Sequence, residues 1–242
     1  GQRTAPGVGN VPTLVLPAGV GRLLVFRAGD ELHVAGSCLA THAVMDMLHG
    51  QKRRGLATKE WGVFSHKVKD RDHPLVRHMN TIFDVPHSRN NEITARQFAE
   101  AGMHVLVDSE EAGVHLATSQ DGFRLICFQG HPVYDTLSLL KEYRREVVRF
   151  MAGDRPDYPP LPAHYMNDAA AAIALAYKDK AELGPTDLPF PEEEIAALLD
   201  NSWTDSARSV MGTWIGLVYQ TTHMDRRKLF MDGVDPANPL GL

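Results

Sequence analysis

The sequence predicts an α/β fold, and three observations carry that prediction. Short runs rich in β-branched and aromatic residues alternate with longer segments of helical periodicity. Cap and turn residues separate the two kinds of segment. The chain has 242 residues, 43% of them hydrophobic, enough for one sizeable core.

The elements follow in order. Residues 1–22 are rich in Gly, Pro and Ala and read as an irregular segment. Residues 23–242 then form one domain with a C-terminal helical extension. Strand-like pieces occupy 22–27 and 31–37. After Cys38, a helix runs to Gly50, with Leu39, Ala43, Met47 and Leu48 on its inner face. Residues 62–68 alternate like a strand. A short helix covers 94–101, with Thr94 as its cap and Gly102 as its stop. Three strands follow at 103–108, 113–119 and 123–129, the last two joined through the hairpin signal Gln120-Asp121-Gly122. A helix from Asp135 to Met151 buries Thr136, Leu140, Tyr143, Val147 and Met151. The segment 154–165 is too Pro-rich for a regular element. An alanine-rich helix covers 167–182. Another begins near Pro191, where proline and three glutamates suit an N-terminus. The last runs over 204–221, with Ala207, Val210, Met211, Trp214, Leu217 and Val218 as its stripe.

Bulk properties exclude several classes. The net charge is −5, with no basic stripe, so a nucleic-acid surface is not expected; "MDRRKLF" (224–230) is short and mixed. No apolar run approaches the ~20 residues of a membrane span, and the first residues lack the order of a signal peptide. Two cysteines make no disulfide framework and fit a reducing, cytoplasmic setting. His73 and His78 lie five residues apart, which does not put both on one helical face. With no CxxC or HExxH motif, no metal site is expected.

Two residues stand where chemistry can be done. Cys38 sits between a strand and a helix, where a sharp turn exposes a thiol and the helix N-terminus favours a thiolate. The backbone N–H of Leu39 then stands as an oxyanion donor. The alternative is a buried structural cysteine, the commoner fate of the type; Cys127, inside an apolar strand, reads that way. His131 follows a strand, and Pro132 keeps it out of a helix. That places it at a sheet edge, where ligands bind in doubly wound folds. A capping or backbone-bonding histidine is the alternative. A Cys and a His on separate strand ends are the usual form of a cysteine nucleophile pair.

Five blocks then align with a known pattern: "SCLATHAVMDMLHG", "KEWGVFSHKV", "HPLVRHMNTIFDVPHSRNNEI", "FQGHPVYDTLSLLKEYRREV" and "NSWTDSARSVMGTWIGLVYQ". Over residues 23–225 the chain resembles the homoserine O-succinyltransferase/O-acetyltransferase family. The resemblance implies a flavodoxin-like, class I glutamine amidotransferase-like doubly wound sheet. It implies acyl transfer from succinyl-CoA or acetyl-CoA to the hydroxyl of L-homoserine, towards methionine, with no bound cofactor. Cys38 becomes the acyl-thioester and His131 the base. Lys59 and Ser88 match substrate-contacting positions, and Arg145 the clamp on the amino acid's carboxylate. Without the resemblance Lys59 is a solvated lysine, Ser88 a turn serine, and Arg145 a surface charge pairing with Glu142 or Asp135. A homodimer is implied too.

Two departures stand against the pattern. The family reads His-x-Glu, and here Val133 occupies the glutamate's place. Valine accepts no hydrogen bond, and in a serine triad the loss of the orienting carboxylate costs about 10⁴ in kcat. Asp135 or Glu92 can be its substitute, the pair can work as a dyad, or the chain is a weakened variant. The second departure is the start. Family members carry on the order of a hundred residues before the cysteine block, with the first βα units of the sheet; here 37 residues precede Cys38. The expected sheet therefore lacks its usual N-terminal βα units, leaving an edge for a partner to cover. Two further readings stay open: a non-catalytic homologue that binds a metabolite, and a thiol hydrolase or amidase on the same scaffold.

Overall fold

The computed structural model describes residues 22–28, 31–184 and 189–222. The irregular segment expected at 1–22 and the basic run at 224–230 fall outside these, apart from Arg22. Thirteen elements occur among the described residues: β1 (Arg22–Ala28), β2 (Glu31–Ser37), α1 (Leu39–His49), β3 (Arg54–Val68), β4 (Ile82–Glu92), α2 (Ala95–Glu100), β5 (His104–Ser109), β6 (Gly113–Thr118), β7 (Leu125–Phe128), α3 (Ser138–Met151), α4 (Asp168–Glu182), α5 (Glu192–Ala196) and α6 (Thr204–Thr222). They form an α/β fold around one mixed seven-stranded sheet of order β1-β2-β7-β6-β5-β3-β4. The β2–β7 pair is parallel, as a wound α/β sheet requires, and the remaining ladders are antiparallel.

The sheet curls. The residues beyond β7 run back along the far edge strand, where the His131 N–H donates to the Pro86 carbonyl at 2.8 Å. Gly130 makes this approach possible. A Cβ there would stand 2.5 Å from Val85 Cγ1 and 2.9 Å from ring nitrogens of His87 and His115. Three apolar clusters then fill the folds of the sheet. The α6 residues Val210, Trp214 and Val218 pack on Val85, Leu116, Ile126 and Phe128. The α3–α5 helices pack on Trp61 and Val63. The α1 and α2 helices pack on Val114, Ala117, Leu125 and Cys127. Burying a side chain such as Leu140 or Ile126 contributes about 1.5–3 kcal/mol.

Most predicted elements are present, with two differences. The inner face of α1 is Ala40, Thr41, Val44 and Met45, whereas Met47 and Leu48 are exposed. The small Ala40 and Thr41 lie against Gly36, whose missing side chain lets the helix approach β2 closely. Larger residues do not fit there and face out. Strand β4 was not among the predicted elements. It carries Pro86 and a polar run from His87 to Glu92, neither of which signals a strand. Pro86 is tolerated because β4 is an edge strand, and it pairs with Val63.

Candidate active site

Cys38 occupies the junction of β2 and α1 with φ 54 and ψ −117, a conformation that costs a non-glycine residue on the order of 1–3 kcal/mol. Its neighbours hold it there. The Cys38 N–H donates to the Phe128 carbonyl at 2.8 Å, and Ser37 Oγ donates to the Gly130 carbonyl at 3.1 Å. Thr41 Oγ1 lies 2.9 Å from the Gly36 carbonyl and 2.8 Å from that of Phe128. Because Ser37 pairs with Phe128 across the parallel ladder, Cys38 and His131 leave the sheet at the same end of neighbouring strands. The Leu39 N–H is directed at the Cys38 sulfur and favours its thiolate, but burial dominates and pushes the thiol above its ordinary range. Cys127 is fully buried, and burial raises it to about 12. It is a core residue.

His131 is held by something other than a carboxylate. Its ring hydrogen-bonds the backbone of Ser88 and stacks on Tyr134, with centroids 4.2 Å apart. Its Nε2 is buried without a protein partner. Burial lowers its basicity, against the opposing pull of the Ser88 bond and the Glu142 charge. Val133 is half-exposed and faces a groove shared with Asn201, Arg208 and Met211. Neither suggested substitute serves His131. Asp135 caps α3 by accepting from Leu137 N and Ser138 Oγ, and Glu92 pairs with Arg54 at 2.6 Å.

The carboxylate at the centre is Glu142, one turn into α3. Its Oε2 accepts from Ser88 Oγ at 2.6 Å, Trp61 Nε1 at 3.1 Å and Lys59 Nζ at 3.4 Å, and its Oε1 from Tyr134 OH at 2.6 Å. Burial alone would raise this carboxyl; the donors outweigh it and hold it below its ordinary range, hence ionised. The Lys59 ammonium also sits 4.2 Å from the Trp61 ring. Lys59 and Ser88 are thus a paired lysine and a strand serine, converging on one carboxylate whose charge is felt by Cys38 and His131. Arg145 stands apart from this cluster. It lines an adjoining cleft with Lys59 and Trp61, and its partner is Glu146 at 3.3 Å, not Glu142 or Asp135.

Behind Gly130 lies an array of buried imidazoles from β3, β4 and β6. Arg89 Nε donates to His87 Nδ1 at 3.1 Å, which leaves the His87 proton on Nε2. That proton faces His66 Nε2 at 3.2 Å, and His66 Nδ1 then donates to the Phe64 carbonyl at 2.8 Å. The His66 and His87 rings are parallel, and His115 meets both edge-on. Burial lowers His66 to about 4 and keeps His87 and His115 well below the ordinary imidazole value.

With this geometry in place, comparison with known proteins gives one consistent result. A family model described as homoserine O-succinyltransferase matches residues 31–224. The chain belongs to the homoserine O-succinyltransferase family. It is 57% identical over 210 residues to a homoserine O-succinyltransferase of Allochromatium vinosum, covering 85% of this chain and 59% of that protein. A homoserine O-succinyltransferase of Nitrosococcus oceani is 53% identical, with the same coverage. The chain therefore spans about three-fifths of the length of these family members. Among solved structures, a glutamine amidotransferase of Methylobacillus flagellatus is similar at 16% identity and a TM-score of 0.45, over 75% of this chain and 61% of that one. No described helix is long and apolar enough to cross a membrane.

The family residues singled out from sequence fall into three places. Cys38 with Leu39 and His131 follow the neighbouring strands β2 and β7 at the same end of the sheet, Lys59 and Ser88 meet at Glu142, and Arg145 and Val133 line two separate clefts. Sequence reasoning named Glu142 only as a surface pairing partner. Its spacing from Tyr134, which lies before the start of α3, carried no sign that Ser88 and Trp61 arrive from β4 and β3.

Proposed function

We propose that the chain carries out acyl transfer from a CoA thioester to the hydroxyl of L-homoserine, through a thioester on Cys38. The observation that carries this reading is the strained Cys38 elbow after β2 and a buried, unpaired His131 Nε2 after the adjoining β7, in a chain of this family. Neutral His131 carries one ring lone pair, and its partnerless Nε2 is the nitrogen proposed to offer it. The thiol is held protonated by burial, so it needs that base when the donor arrives. Cys38 sulfur attacks the thioester carbonyl, the Leu39 N–H faces the developing oxyanion, and collapse expels the CoA thiolate, which takes the proton from His131. Homoserine then enters, and His131 removes its hydroxyl proton as the oxygen attacks the acyl-cysteine. Collapse releases the ester and returns the proton to sulfur.

The acceptor is a zwitterion, and the cleft offers a partner for each end. Arg145 suits the carboxylate. Glu142, ionised and faced by donors alone, suits the ammonium. The alternative of a hydrolase on this scaffold has no use for that pairing. A reducing cytoplasm suits a free thiol nucleophile, and a homodimer is the assembly proposed.

Intact mass spectrometry after incubation with succinyl-CoA or acetyl-CoA tests the reading. A mass increase of one acyl group, absent in Cys38→Ala, is expected. No adduct from either donor would sink it.

A further inference from the structure

Glu146, next to the catalytic cluster on α3, is shared by three guanidiniums. Its carboxylate receives Arg145 Nε at 3.3 Å, Arg149 Nη1 at 3.2 Å and Arg155 Nη1 at 3.1 Å. Three cations on one anion leave an excess of two positive charges. Such an excess has no structural use: one arginine neutralises one carboxylate, and exposed pairs contribute about 0–1 kcal/mol. Arg145 and Arg149 remain 62% and 51% exposed, whereas Arg155 is 25% exposed and pinned by a 2.6 Å bond from its Nε to the Asp157 carbonyl.

These arginines line a cleft of about 570 Å³ together with Lys59, Trp61, Asn90, Pro160 and Leu161. The cleft has a direction. Residues 142, 145, 146 and 149 share one face of α3. Glu142 holds two of the lining residues, Lys59 and Trp61, and Arg149 lies about 10 Å further along the helix at 1.5 Å per residue. A ligand running from the Lys59 and Trp61 end towards Arg149 and Arg155 therefore has apolar Leu161 and Pro160 beside it and guanidiniums in excess at its far end. That order, reactive end, long amphipathic arm, polyanionic end, is the order of groups in an acyl-CoA.

We propose that Arg149 and Arg155 bind the phosphate groups of the CoA donor, leaving Arg145 to the amino-acid acceptor. The inference rests on the acyl-transfer reading for its choice of anion. Guanidinium forks bind phosphate oxygens in pairs, and Arg155 is held in place at the cleft by its bonds to Asp157 and Glu146.

Calorimetric titration of the whole chain with free CoA, 3′-dephospho-CoA and pantetheine tests it. CoA should bind at least tenfold more tightly than pantetheine, with 3′-dephospho-CoA between them. Arg149→Gln and Arg155→Gln should each weaken CoA about tenfold, the usual scale for a charged hydrogen bond, and leave pantetheine unchanged. Added salt should weaken CoA alone. Equal affinities for CoA and pantetheine, or variants that bind CoA like the parent, would overturn the proposal. So would arginine variants that lose affinity for free succinate but not for CoA, since the cleft would then hold the acyl group's carboxylate. Arg149 is exposed on a helix surface, so its substitution leaves folding intact. A short succinyl thioester of N-acetylcysteamine separates the two levels. If it acylates Cys38 equally in parent and variants, the acyl-transfer reading stands whatever becomes of the phosphate clamp; if it fails in all, that reading falls by itself.

Discussion

Glu142 shows what a single side chain does here. Four donors from β3, β4 and the connection between β7 and α3 end on it, so its loss leaves Lys59 without its charge partner and Ser88, Trp61 and Tyr134 without their acceptor. Glu142→Gln keeps the shape and removes the charge. It should lower kcat/KM for homoserine at least tenfold and stability by about 1–3 kcal/mol, measured by steady-state kinetics and thermal melts. Val133 makes the opposite case. In the family pattern a glutamate stands there, yet the Ser88 backbone already holds the His131 ring and Val133 faces the groove beyond. Val133→Glu should therefore change kcat by less than about threefold, against the 10⁴ lost when a serine triad loses its orienting carboxylate. A large gain in kcat would mean that the carbonyl does not replace it. At this scale the sequence exposed Cys38 and His131, because strand–turn junctions leave local marks. Glu142 left none, since what defines it is the arrival of residues 54 to 83 positions away.

Among the elements, β3 and β4 decide how the site closes. Their long antiparallel ladder brings Ser88 opposite Trp61. A second chain segment locks it: Val63 N donates to the Ala163 carbonyl at 2.8 Å, and Ala163 N to the Trp61 carbonyl at 2.9 Å. This crossing passes over Gly62, where a Cβ would lie 2.2 Å from the Ala163 oxygen. Backbone cannot move aside as a side chain can. Gly62→Ala should cost about 1–3 kcal/mol or more. Each kcal/mol lowers Tm by about 2–4 °C in a chain of this size, and a fluorescence melt reads it. An unchanged Tm would contradict this account of the crossing. The sequence signalled the helices and the β6–β7 hairpin through local periodicity and turn chemistry. It hid β4 and the 154–165 crossing, whose prolines and polar residues are accommodated by partners distant in sequence.

The whole molecule stores a pH dependence in its buried imidazoles. His42 and His66 fall to about 4 in the folded chain, and His87 and His115 are lowered well below 6.5, all through burial. An unfolded histidine takes up a proton near 6.5. Below that pH the unfolded chain binds protons that the folded chain refuses, so stability falls as pH drops from about 6.5 towards 4. Each such histidine contributes a slope of up to about 1.4 kcal/mol per pH unit. Circular dichroism should show one steep acid transition inside that window, made shallower by His66→Gln. A transition as steep in the variant would remove His66 from the cause. The hydrogen-bonded chain running from Arg89 through His87 and His66 to the Phe64 carbonyl adds a further consequence. Every lone pair along it is already occupied, so neither ring can accept a proton without breaking a bond. Of the three rings behind Gly130, only His115 keeps a ring nitrogen, Nδ1, without a protein partner. On the acyl-transfer reading, a proton taken up by His131 therefore gains no relay through His87 and His66.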